Sequence, residues 1–296
     1  NLDKLSNTFL KVVWVNPIMD KLKEKYINEH SRFMDIDGLQ VHYRDQGKGF
    51  PLLLLHGAFS SLHTFNGWAH ELSRSFRVIR LDLPGFGLTG HLGNTRYTRH
   101  VFMTYIKAIL DKLDVEQCNI AGSSLGGWMA WEFALEYPER INKMILIDAA
   151  GYIKRRDYPL PFKMAQIPFL NRIMKNITPR GIIARFVKEV YGDEQKVTDE
   201  LIDRYQDLFL VNGNRKAFIS IANTKFERNE DKINEIKTPT LILWGTKDKW
   251  IPIEHAYRFK KELPNAQLIL YEGVGHIPME EIPKQSAKDV RAFLRK

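Results

Sequence analysis

The chain has 296 residues, of which 44% are hydrophobic and 27% charged, enough apolar material for a sizeable core, so a disordered protein is excluded. Its formal net charge is +9, and its single cysteine, Cys118, excludes an intramolecular disulfide and a cysteine-based zinc site. No apolar run approaches the roughly 18 residues of a membrane span.

Leu2 to Glu29 reads as one or two amphipathic helical segments interrupted by Pro17, a helical extension covering 1–32. Phe33 to Ile36 and Leu39 to Arg44 alternate around Asp37-Gly38 and predict a hairpin. The unbroken block Pro51 to Leu55 predicts a strand buried on both faces, as in a parallel sheet covered by helices. Helix and strand patterns then alternate: Trp68 to Ser75, Arg77 to Leu81, Thr98 to Leu113, Cys118 to Ala121, Leu125 to Tyr137 and Met144 to Ile147. After Gly151 the alternation gives way to helical sequence, including a helix start at Thr178-Pro179 and a helix over Asp199 to Leu210. It resumes with Thr240 to Trp244, Glu254 to Leu263, Gln267 to Tyr271 and a helix near Ala287 to Leu294. The expectation is a doubly wound, mostly parallel α/β core over 33–150 and 232–296, split by a helical cap over 151–231.

The positive charge is concentrated in that cap. Between Gly151 and Lys188 lie nine basic residues and one acid, Asp157, a local +8 that leaves the rest of the chain near +1. The basic residues alternate with apolar ones such as Phe162, Phe169, Ile173 and Ile177, which suits a solvated lid helix or peripheral contact with an anionic membrane. No nucleic-acid motif accompanies the charge, so nucleic acid is not expected as a partner. The sequence fixes neither compartment nor oligomeric state: cytoplasmic or peripheral-membrane placement is the expectation, and the opening on Asn1 leaves room for a leader or anchor upstream. Cys118 sits in an apolar run and reads as a buried, unreactive thiol.

Gly122-Ser123-Ser124-Leu125-Gly126 is a G-x-S-x-G motif between a strand and a helix pattern. A serine exposed on so sharp a turn needs glycine two residues to either side, and only Ser124 has it. A serine hydroxyl becomes a nucleophile when an imidazole takes its proton and a carboxylate fixes that imidazole. His276 follows the last strand pattern and is the candidate base, with His56, read as shaping its loop, the competitor. Asp248 is the candidate acid and Asp148 the alternative, while Asp82 reads as capping a turn. An oxyanion would be met by the amides of Leu125 and Ala58, with Phe59 next in line. The chemistry requires no cofactor and no metal.

These motifs resemble the α/β-hydrolase-fold superfamily, in its serine-nucleophile branch with a helical cap. The resemblance rests on His56-Gly57, the turn Asp82 to Gly87, the elbow around Ser124, Trp244-Gly245 through Asp248 to Pro252, and Gly275-His276 followed by Glu281 and Pro283, spanning about residues 36 to 296. Relatives similar to epoxide hydrolases and haloalkane dehalogenases would carry Asp at position 124, so the resemblance implies acyl transfer. Its esterase- and lipase-like members imply a small-molecule carboxylic ester with an apolar acyl chain. Carbon-carbon hydrolases of the meta-cleavage type share the serine triad and cap, but their oxyanion loop is usually Gly-Pro-Gly-rich, and here it is Gly57-Ala58-Phe59-Ser60-Ser61. A non-catalytic binding protein on the same fold is a third reading.

Overall fold

The structure is a computed structural model and describes residues 17–93, 96–227 and 229–296. The strands are β1 (Ser31–Ile36), β2 (Leu39–Gln46), β3 (Pro51–Leu55), β4 (Arg77–Leu81), β5 (Cys118–Ser123), β6 (Ile141–Ile147), β7 (Thr240–Gly245) and β8 (Ala266–Tyr271). They form one sheet in the order β1-β2-β4-β3-β5-β6-β7-β8. The β1–β2 hairpin and the β2–β4 pair are antiparallel, and every other pair is parallel. Asp37 and Gly38 both have positive φ, 52° and 82°, the twist a two-residue hairpin turn demands. Leu52, Leu53, Leu54 and Leu55 are fully buried, as a central parallel strand between two helical layers requires.

The helices around this sheet are α1 (Pro17–Tyr26), α2 (Asn66–Leu72), α3 (Arg99–Lys112) and α4 (Leu125–Glu136). Between β6 and β7 come α5 (Leu160–Gln166), α6 (Pro168–Met174), α7 (Arg180–Val190), α8 (Asp199–Leu210) and α9 (Asn214–Asn223). The chain closes with α10 (Glu254–Glu262), α11 (Pro278–Glu281) and α12 (Pro283–Leu294). The basic stretch is three helices rather than one. Ile167 is extended ahead of Pro168, because a proline disfavours helix at the preceding residue, and Pro179 is extended ahead of α7.

Pro17, expected to interrupt a helix, begins one, a first-turn position where its missing N–H costs nothing. Residues 1–16 of the expected extension lie outside the described residues. Tyr26 Oη donates to Asp207 Oδ2 at 2.7 Å and Lys25 pairs with the same oxygen at 2.8 Å, so α1 is tied to α8. Among the described residues no helix is long and apolar enough to cross a membrane. Cys118 is fully buried, and burial pushes its thiol up to about 12, out of the reactive range.

Candidate active site

Ser124 stands between β5 and α4 with φ 54° and ψ −115°, a conformation β5 and the first turn of α4 impose together. Its amide donates to Ile147 O at 3.0 Å, and its carbonyl accepts from Trp128 N and Ala150 N at 3.0 and 2.9 Å. A Cβ on Gly122 would stand 2.0 Å from Gly126 O, and one on Gly126 would stand 2.2 Å from Leu55 O. The motif's glycines are therefore the residues that let three backbone segments meet beneath the serine.

His276 lies in the loop after β8, its amide bonded to Val190 O of α7 at 2.8 Å. Its Nδ1–H donates to Asp248 Oδ2 at 2.7 Å, while Asp248 Oδ1 accepts the amides of Trp250 and Ile251 at 2.7 and 3.0 Å. Both side chains are almost wholly buried. With Nδ1 committed, Nε2 is the nitrogen left to exchange a proton, and it is buried without a hydrogen-bond partner. His276, Ser124, Gly57, Ala58 and Phe59 line a small cleft of about 30 Å³, so the structure brings the serine, the imidazole and one proposed oxyanion donor together. Leu125 starts α4 and lines a larger cavity that also reaches Ser124.

That cavity measures about 450 Å³. Trp128, Trp131, Phe162, Phe226 and Trp250 make its wall largely aromatic, and Arg155, Lys225, Glu227 and Glu230 add charge of both signs. It lies between core and cap, a common place for a small-molecule site.

His56 does not join the site chemistry. Its Nδ1 is bonded to Gly57 O at 2.7 Å, its Nε2 accepts Leu83 N at 3.0 Å, and burial lowers its pKa, so it is a neutral brace for the loop carrying Ala58. Asp82 ties turns together, accepting the amides of Leu62 and Leu88 and the His42 ring.

Asp148 is nearer the chemistry than its place as an alternative implies. One ligating atom each from Asp148, Asp248 and His276 lie within 4.8 Å of one another. Asp148 Oδ1 accepts Gly245 N at 3.0 Å, and Oδ2 is buried without a partner. Burial pushes this carboxyl well above the usual carboxylate range, and the Asp248 carboxylate beside it pushes the same way. The two carboxylates and the imidazole could serve a cation, but the Nδ1–H of His276 is already given to Asp248.

One residue, Trp250, and one contact, that of Phe59 with the cap, escape sequence reasoning. Trp250 packs its ring 5.5 Å from that of His276 and lines both cavities; its position two residues after Asp248 was the only signal. Phe59 has φ 65° and is held in that strained conformation by Phe209, Phe186 and Phe218 of the cap, at 4.3, 6.0 and 5.8 Å. The proposed oxyanion loop is thereby braced from the cap, a contact no local pattern announces.

Residues 51–283 match the model of the alpha/beta hydrolase fold family, and the chain belongs to that family. Among its relatives is a 2-hydroxy-6-oxononadienedioate/2-hydroxy-6-oxononatrienedioate hydrolase of Paraburkholderia phymatum, 31% identical over 250 residues, covering 80% of this chain and 85% of that protein. The hydrolase YugF of Bacillus subtilis is 28% identical over 268 residues, covering 89% and 97%. Among solved structures, a meta-cleavage product hydrolase from Pseudomonas fluorescens superposes with a TM-score of 0.76 at 27% identity, covering 87% of this chain and 95% of that one.

Proposed function

We propose that the protein hydrolyses an unsaturated ketone by breaking a carbon-carbon bond, with Ser124 as nucleophile, His276 as base and then acid, and Asp248 as the partner that orients and charges the imidazole. The observation that carries the mechanism is His276, with Nδ1 held by Asp248 and Nε2 unpartnered in the cleft it shares with Ser124. The similarity to the P. phymatum enzyme supports the choice of bond. The compound in that enzyme's name contains a ketone and two carboxylates but no ester, so water can divide it only by cleaving carbon from carbon.

His276 Nε2 takes the Ser124 proton as Oγ attacks the ketone carbon, and the resulting oxyanion faces the amides of Ala58 and Leu125. Because the 2-hydroxydienoate reacts as its 2-keto tautomer, its hydroxyl proton having moved to the carbon beside the ketone, collapse breaks the bond between that carbon and the ketone carbon. The departing carbon, stabilised as an extended enolate, takes the proton back from His276, leaving an acyl group on Ser124. Water then gives a proton to His276 and attacks the acyl carbon, and the carboxylic acid leaves as Ser124 recovers its proton. Arg155 and Lys225 in the cavity wall suit a substrate carboxylate, and the aromatic wall suits its unsaturated chain.

The relatives thus move the reading from the ester expected from the sequence to the ketone. Ester hydrolysis would use the same steps with an alkoxide as the leaving group, and the loop Gly57-Ala58-Phe59 favours it as the second reading. Steady-state kinetics on a 2-hydroxy-6-oxo-dienoate and on p-nitrophenyl esters separate the two. The proposal expects a much higher kcat/KM for the dienoate and loss of both activities in Ser124→Ala. Ester turnover with the dienoate left intact would replace it with the ester reading, and no turnover of either would favour a binding protein.

A further inference from the structure

We infer that the outer face of the cap, from α5 to the start of α7, is a docking surface for an anionic lipid bilayer. Among the described residues nine large hydrophobic side chains are exposed, and six of them, Leu160, Ile167, Phe169, Ile173, Ile177 and Ile182, fall within this one segment. Phe169, Ile173 and Ile177 are 73%, 41% and 62% exposed and recur every fourth residue. Ile177 N donates to Ile173 O at 2.8 Å, continuing the helical turn beyond α6, so the three form a stripe on one side. Met174, between them in sequence, is buried and anchors the helix from the other side.

The charge around the stripe selects the occupant. Lys163, Arg172 and Lys175 are exposed, and among the described residues no carboxylate lies within ion-pairing distance of them. Arg180, by contrast, is paired with Asp199 and Asp203 of α8 at 2.6 and 2.7 Å. An apolar stripe flanked by unpaired cations matches an interface with acyl chains below and anionic headgroups above. A second copy of the chain is a poor match, since self-docking would bring these cations against one another on a molecule already at +9.

The face also adjoins the cavity. Pro159 and Phe162 line the 450 Å³ cavity reaching Ser124, while Leu160 between them is exposed on the outside. Docking would therefore bring this wall of the cavity against the bilayer, whichever bond Ser124 attacks.

The test is co-sedimentation of the Ser124→Ala protein, which cannot consume lipid through Ser124, with vesicles of pure phosphatidylglycerol and of pure phosphatidylcholine. Binding should be strong to the first, weak to the second, and should fall as salt is raised. Neutralising Lys163, Arg172 and Lys175 to Gln should lower partitioning to phosphatidylglycerol roughly a hundredfold. Phe169→Ser with Ile177→Ser should lower it by about tenfold or more. All five side chains are exposed, so matching thermal melts will show that the variants are folded. Equal binding to both lipids, insensitivity to salt, or variants that bind like the parent would overturn the inference. So would a concentration-dependent dimer that Phe169→Ser abolishes, which would assign the face to a second copy.

Discussion

Asp148 and Asp248 reach the same spot from neighbouring strands, and the structure gives them different hydrogen-bonding surroundings. Asp248 takes the His276 proton donor and two amides, whereas Asp148 has one amide and an unpartnered buried oxygen. The titratable groups around Asp148 are Asp248, Glu281, His276 and Tyr271, and burial with the two carboxylates favours its neutral form. An acid raised in the folded state keeps its proton there after the unfolded chain has lost it, so stability falls as pH rises from the ordinary carboxylate range through the folded pKa. Asp148→Asn removes that fall. Thermal melts across pH should therefore decline less on the alkaline side than in the parent, with turnover retained, because an amide stands in for the protonated form that burial favours. A folded Asp148→Asn protein that has lost its turnover would show that Asp148 works ionised. Asp248→Asn is a different case: it reverses the hydrogen-bonding role opposite Nδ1–H, and turnover should fall by about four orders of magnitude, as kcat measurements would reveal.

At the scale of elements, the elbow and the loop facing it depend on close backbone approach more than on side-chain chemistry. Gly126→Ala would drive a methyl into Leu55 O and separate α4 from β3, so a large drop in melting temperature or failure to fold is expected, measured by circular dichroism. Phe209→Ala would open the ring cluster over Phe59 and should cost about 3–5 kcal/mol in urea unfolding. The core strands were legible because each carries its own signature. Pro51–Leu55 is an apolar run needing cover on both faces, and Arg77–Leu81 ends where a turn rich in Pro and Gly begins. The elbow was legible for the same local reason. The proximity of Asp148 to Asp248 was not, because it arises from β6 lying beside β7 with the whole cap inserted between them in the chain. The aromatic brace on Phe59 was equally hidden, since its partners come from three cap helices whose packing angles leave no mark on spacing.

Across the whole molecule, cap and core are joined at the residues flanking His276. Glu281 accepts the amides of Gly192 and Asp193 at the end of the α7 segment and that of Gly275 next to His276, at 3.0, 3.0 and 2.8 Å. Glu280 receives Arg204 and Tyr205 from α8 and Thr64 from the core. The cap is thus tied to the loop that carries the imidazole through a buried polar cluster. Glu281→Ala leaves three amides without their acceptor, and both melting temperature and kcat should drop, with loss of the His276 loop's protection in hydrogen exchange as the distinguishing readout.

The central claim is that the Asp248–His276 pair activates Ser124. Intact-mass and peptide mass spectrometry after incubation with a fluorophosphonate tests it directly, without assuming a substrate. The account predicts a single adduct located on Ser124, absent from Ser124→Ala and formed far more slowly in His276→Ala. A folded protein that takes up no label, or takes it at another residue, would contradict it.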